Sequence, residues 1–217
     1  TGYAEGNAAQ LFQALMDGKP LPHVIQGEPV NPQQIPRILG ATTMGVVEIS
    51  RGCGLGCHFC TIAQTPMAHL PHDTILADIA TNLAAGVTST ALLSEDFLRY
   101  GAQGLRPEPS ALLELLECVA ALPGLRLIQT DHVNVGSVAQ YTDHELRQMR
   151  ELMVQPSGHQ FPWVNIGVET ASGPLLRQNG GAAKMMGVPE EDWGEFCAEQ
   201  IRRLCSAGFF PLVSLVV

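Results

Sequence analysis

The chain has 217 residues, 46% of them apolar and only 15% charged, enough to bury a sizeable core and too ordered in composition for a disordered tail. Twelve Lys and Arg stand against 21 Asp and Glu, a net charge of −9 that repels a phosphate backbone and argues against nucleic acid as the default partner. No run approaches the ~18 apolar residues of a membrane span, no leader pattern opens the chain, and six cysteines are too few for a disulfide scaffold, which points to a reducing cytoplasm.

In chain order, residues 8–16 carry one short helical pattern, followed by a Pro-rich run that cannot build a core. Residues 1–42 therefore read as the tail of an upstream domain and a linker, and 43–217 as the folded core. Short β-rich runs then recur at 46–50, 88–94, 125–130, 163–168 and 209–217, spaced by roughly 40 residues, the length of a strand, a helix and their loops. Between them lie amphipathic patterns. Residues 73–85 put Ile75, Leu76, Ile79 and Leu83 on one face before Gly86, and 110–122 repeat this before Pro123-Gly124. Thr142-Asp143-His144-Glu145 is a capping box ahead of Leu146, Met149 and Met153. A fourth helix begins near Pro189 and aligns Trp193, Cys197, Ile201 and Leu204 before Gly208.

Near-continuous apolar runs alternating with helices imply an α/β fold with a parallel sheet. Its right-handed crossovers lead to a barrel or to a doubly wound sheet, and five strands are fewer than a complete eight-stranded barrel of ~250 residues supplies. The last run, 209–217, ends apolar with no polar turn, which suggests a core that continues further.

Half of the cysteines fall in "SRGCGLGCHFCTIA", residues 50–63, as Cys53, Cys57 and Cys60. This loop follows the first expected strand, and strand C-terminal ends build the active sites of parallel α/β folds. The spacing lets three sulfurs surround one small inorganic object, while Gly52, Gly54 and Gly56 permit backbone N–H groups to turn toward it. An iron–sulfur cube takes four thiolates. Cys118, Cys197 and Cys205 lie on helical patterns and read as small buried hydrophobes, so one iron would keep an open position. The rival reading is a structural zinc site completed by His58, His69 or His72.

The CxxxCxxC loop, with Phe59 before its last cysteine, resembles that of the radical S-adenosylmethionine superfamily, and "VVEISRGCGLGCHFC" is closest to the branch that often carries an upstream cobalamin-binding domain. The resemblance implies a partial (β/α) TIM-type barrel, a [4Fe–4S] cluster on Cys53, Cys57 and Cys60, and S-adenosylmethionine bound at the open iron. It also implies reductive cleavage to a 5′-deoxyadenosyl radical, an electron donor such as flavodoxin or ferredoxin, and cobalamin where an upstream domain of that type is present. In "ALLSEDFLRYG", Glu95 and Asp96 occupy the place of the family's acidic motif, though its paired glycines are absent and either carboxylate could serve. "VNIGVETAS" resembles the fourth-strand signature, which assigns Glu169, with Thr170 or Ser172 beside it, to the cofactor, and "GPLLRQNGG" makes Arg177 a candidate partner for its carboxylate.

The leading expectation is a radical enzyme acting on an unidentified substrate. The alternatives are a methylthiotransferase-like enzyme, since the "SRGC" context is shared, and a non-catalytic zinc domain. Asp131-His132 after the third strand can line the site or form a turn, Tyr100 reads as structural, and Met185-Met186 read as a surface loop.

Overall fold

The computed structural model describes residues 3–5, 8–27, 31–156 and 162–216. The chain divides into two compact units, Thr1–Pro36 and Arg37–Val217. The first holds a parallel pair, β1 (Tyr3–Glu5) and β2 (Val24–Gln26), with helix α1 (Ala9–Met16) between them in sequence. Helix α1 buries none of its residues, and Phe12 and Met16 are exposed, so the helix expected at 8–16 forms without an apolar seat of its own.

The second unit carries the strands β3 (Val46–Glu48), β4 (Ser50–Arg51), β5 (Ala68–His69), β6 (Ser89–Leu93), β7 (Leu127–Thr130), β8 (His132–Asn134), β9 (Trp163–Glu169) and β10 (Phe210–Leu215). Its helices are α2 (His72–Ala84), α3 (Pro109–Ala120), α4 (Val135–Val138), α5 (Asp143–Val154), α6 (Gly173–Gln178) and α7 (Trp193–Ala207). Strands β3, β6 and β7 pair in parallel in that order, as do β8, β9 and β10. Only Asp131 separates β7 from β8, and its carbonyl accepts from Asn165 N–H of β9 at 3.0 Å, so the two ladders follow one another along the chain. The result is an α/β fold whose parallel neighbours follow chain order, with only the short antiparallel pair β4–β5 interposed between β3 and β6. The expected strand 209–217 runs to a residue outside the described ones, as do 157–161 of the loop before β9.

The helices form where their apolar periodicity lies. On α2, Ile75 and Ile79 are fully buried; on α3, Leu112, Leu115, Leu116 and Val119 are; each such side chain contributes about 1.5–3 kcal/mol by leaving water. The capping box of α5 is complete: Thr142 Oγ1 accepts from Glu145 N–H, and Glu145 accepts from Thr142 N–H at 2.7 Å. Two polar residues buried on α2 have structural work: Asp78 accepts from Ile38 N–H and Asn82 from Thr42 N–H, tying the entry segment of this unit to the helix. Of the three cysteines expected in helical cores, only Cys197 is buried. Cys118 and Cys205 are exposed, because on α3 and α7 the leucines and Trp193 take the inward positions.

Candidate active site

At the C-terminal ends of the strands opens a cavity of about 430 Å³, a ligand-sized space, lined by Cys53, Cys57, Phe59, Cys60, Glu95, His132, Asn134, Gly167, Glu169 and Lys184. The cysteine loop reaches it because its backbone takes a path few residues allow. Gly52, Gly54 and Gly56 have φ of 84°, 73° and 76°, and a Cβ at Gly52 would lie 2.3 Å from the Pro66 carbonyl oxygen. Only glycine fits there. Cys53 N–H donates to Thr65 O and Gly56 N–H to Ala63 O, so residues 52–65 close on themselves. A second brace comes from the turn after α6: His58 N–H donates to Asn179 O, and a Cβ on Gly180 would meet Gly56 O and the His58 ring.

Arg99 fastens the loop from the other side. It follows β6 in a short 3-10 turn, is 1% exposed, and donates through Nη1 to Cys53 O at 2.8 Å and through Nη2 to Gly104 O at 3.0 Å. Ser50 Oγ of β4 and Ser94 Oγ, just past the end of β6, are 2.5 Å apart and join these two segments nearby.

Glu169 ends β9 with φ 66°, a left-handed conformation that costs a non-glycine residue on the order of 1–3 kcal/mol and is found at ligand sites. Its carboxylate accepts from Lys184 Nζ at 2.9 Å, an ion pair with both side chains largely buried. The bulge at Ser214/Leu215 lets Val216 N–H reach Glu169 O and holds this turn. Asn134, at the end of β8, donates from Nδ2 to Lys184 O, while its buried Oδ1 has no partner among the described residues.

The residues read from the sequence are thus partly gathered and partly dispersed. Cys53, Cys57, Cys60, Phe59, Glu95 and Glu169 share the cavity. Asp96 does not line it: fully buried, it accepts from Ser137 Oγ at 2.6 Å and from Asn134 N–H at 3.1 Å, and burial pushes its carboxyl above the usual range. Ser172 caps α6 by accepting from Leu175 N–H, and Arg177 pairs with Glu190; neither lines the cavity. His132 does line it and lies 3.0 Å from Asp131. Tyr100 is buried and donates to Leu70 O, and Met185, expected on a surface loop, is buried, since the segment after α6 folds inward to deliver Lys184. Arg99, Asn134 and Lys184 were not singled out from the sequence; a lone basic residue inside "FLRYG" or "GAAKMM" has no periodic or spacing signal to mark it.

Burial pushes the Cys53 and Cys57 thiols up, with Arg99 and Lys184 opposing this at Cys53 and Lys184 at Cys57. Among the described residues no three His, Cys, Asp or Glu groups converge as they would on a single metal ion. Each thiolate of a cubane binds a different iron, so a cluster asks for ligands spread around one cavity rather than focused on a point. Three thiols on one cavity wall, glycines that bare the loop backbone and two buried cations fit such a group by the chemistry of the donor set. His69 is engaged elsewhere, with Nε2 3.0 Å from Ala102 O, and His72 stacks on Tyr100; neither lines the cavity as a fourth zinc ligand would.

The cysteine loop keeps its resemblance to the radical S-adenosylmethionine superfamily, and the known proteins to which the chain is similar are methylthiotransferases. The chain is 29% identical over 140 residues to the ribosomal protein uS12 methylthiotransferase RimO of Sorangium cellulosum (strain So ce56), covering 61% of this chain and 27% of that protein. It is 28% identical over 205 residues to the RimO of Dechloromonas aromatica (strain RCB), covering 88% and 43%. The tRNA-2-methylthio-N(6)-dimethylallyladenosine synthase of Acidovorax sp. (strain JS42) is 32% identical over 103 residues, 45% of this chain and 22% of that protein. The chain thus spans less than half the length of these relatives, and no family model matches it.

Proposed function

We propose that this chain is the cofactor-binding core of a radical S-adenosylmethionine enzyme of the methylthiotransferase type, arranged as a partial (β/α) barrel whose strand ends form the catalytic face. The observation that carries the reading is the meeting of Cys53, Cys57 and Cys60 with Glu95, Glu169 and Lys184 around one cavity. Similarity to methylthiotransferases raises to first place the reading that the sequence alone ranked second.

In this account the three thiolates hold a [4Fe–4S] cluster, which supplies a reducing electron and an open iron for S-adenosylmethionine. The chain's own groups do the rest. Glu95 and Glu169 are acceptors for the amino and hydroxyl groups of the co-substrate, and Lys184 is the donor for an anionic group once Glu169 turns to the ligand. Phe59, exposed at the cavity mouth, offers an apolar face to an aromatic base. Glu169's strained backbone is held from the end of β10 through Val216 N–H, which fixes the point from which its side chain swings between Lys184 and the ligand.

The relatives named above act, by their names, on a ribosomal protein and on a tRNA. The net charge of −9 favours a protein substrate over RNA here, because an acidic surface repels phosphates and attracts a basic polypeptide. The donor of the electron is a reduced flavodoxin or ferredoxin, and a cytoplasmic location follows from that chemistry. Nothing in the cavity assigns a role to cobalamin.

The test is a cleavage assay: anaerobically reconstituted protein with dithionite and S-adenosylmethionine should release 5′-deoxyadenosine and methionine, and Cys57→Ala should abolish both release and iron binding. Release that persists in Cys57→Ala, or wild-type protein that holds iron yet cleaves nothing, would overturn the reading.

A further inference from the structure

Arg99 is the most heavily buried Arg or Lys among the described residues and forms no ion pair there: its guanidinium donates to two neutral carbonyls, Nε has no partner, and the buried Asp96 carboxylate acts on it only through space. A buried cation whose hydrogen bonds all go to neutral carbonyls is only partly compensated, and an anion placed beside it would lower that cost. The nearest carboxylate on its own turn, Asp96, is engaged by Ser137 and the Asn134 amide instead. What Arg99 does touch is the peptide of the first loop cysteine. Cys53 has its N–H fixed on Thr65 and its C=O fixed by the guanidinium, so the position of this thiol is set from both sides.

We infer that Arg99 is a positioning residue and the buried counter-charge of the occupied cysteine loop, holding Cys53 in place and raising the reduction potential of the cluster the loop carries. The inference rests on the cluster reading proposed above. A thiolate-ligated cluster becomes more negative on reduction, and net charge and hydrogen bonding around it set its potential. A fixed cation close by stabilises the reduced form; its removal makes the cluster harder to reduce. The planar guanidinium spans two carbonyls from one side chain, which a lysine ammonium does less rigidly.

Two variants separate charge from clamp, each reconstituted anaerobically as the full chain and compared with wild type by iron and sulfide analysis, circular dichroism and a potentiometric titration followed by electron paramagnetic resonance. Arg99→Gln should load the cluster and shift its midpoint negative by at least tenfold in the oxidised-to-reduced ratio, about 59 mV for one electron. Arg99→Lys should keep the wild-type midpoint yet lose iron to a chelator several-fold faster, because Cys53 O loses its two-carbonyl clamp. An unchanged midpoint in Arg99→Gln, or an equal shift in Arg99→Lys, overturns the charge assignment; wild-type iron retention in Arg99→Lys overturns the clamp, and this arm stands even where Arg99→Gln does not fold. Wild-type protein that takes up no cluster would instead defeat the cluster reading itself, which keeps the two failures distinct.

Discussion

His69 shows how a residue that looks like a ligand can be committed to structure. A carbonyl oxygen only accepts, so its contact with Ala102 O places the imidazole proton on Nε2, and Nδ1 is left buried without a partner. Burial lowers the His69 pKa from the ordinary 6.5. A base whose folded pKa is depressed contributes stability that is present above its unfolded value and lost as the pH falls through the folded one. Urea unfolding at a series of pH values should therefore show wild-type protein losing stability below about pH 6.5 relative to His69→Gln, whose amide keeps the bond to Ala102 and does not titrate. A constant difference between the two across that range would contradict the assignment. At this scale Cys53, Cys57, Cys60, Glu95 and Glu169 were legible, because each lies in a short local pattern or at a strand end. Lys184 and Asn134 were not, since they meet the others only after the segment following α6 folds back; Ser172 and Arg177, named from the family resemblance, serve a helix cap and a surface ion pair.

Among the elements, the cysteine loop is the one whose geometry leaves least choice. Gly52 combines φ 84° with a Cβ position 2.3 Å from a backbone oxygen that has no freedom to move, whereas Gly86, at φ 85°, faces open space. Both alanine variants incur left-handed strain of about 1–3 kcal/mol, a drop of roughly 2–4 °C in Tm for each kcal/mol. Gly52→Ala should in addition reduce iron bound after reconstitution several-fold, while Gly86→Ala should bind as wild type does. Equal iron contents in the two variants would mean that the loop path does not matter for occupancy. The elements that the sequence made plain are those with local signals: the capping box of α5, the apolar faces of α2 and α3, the five parallel strands. The break of the third strand into β7 and β8 at Asp131, the β4–β5 pair and α6 carry no such signal, being imposed by what packs beside them.

For the whole molecule, every residue lining the cavity belongs to the unit Arg37–Val217. A protein comprising 37–217 should accordingly bind as much iron and sulfide per chain as the full one and unfold cooperatively; loss of binding on removing 1–36 would show that the first unit takes part. Charge also acts at this level. A net charge of −9 steers a cationic partner toward the molecule with an on-rate that falls as salt rises. Among the described residues no helix is long and apolar enough to cross a membrane.

The measurement that bears most directly on the central claim is electron paramagnetic resonance of the anaerobically reconstituted, reduced chain, with and without S-adenosylmethionine, alongside iron and zinc analysis. The account requires a cubane signal that changes when the co-substrate is added, since a cluster held by Cys53, Cys57 and Cys60 leaves one iron open. A colourless, silent protein carrying zinc would contradict it and make the cysteine loop a structural site.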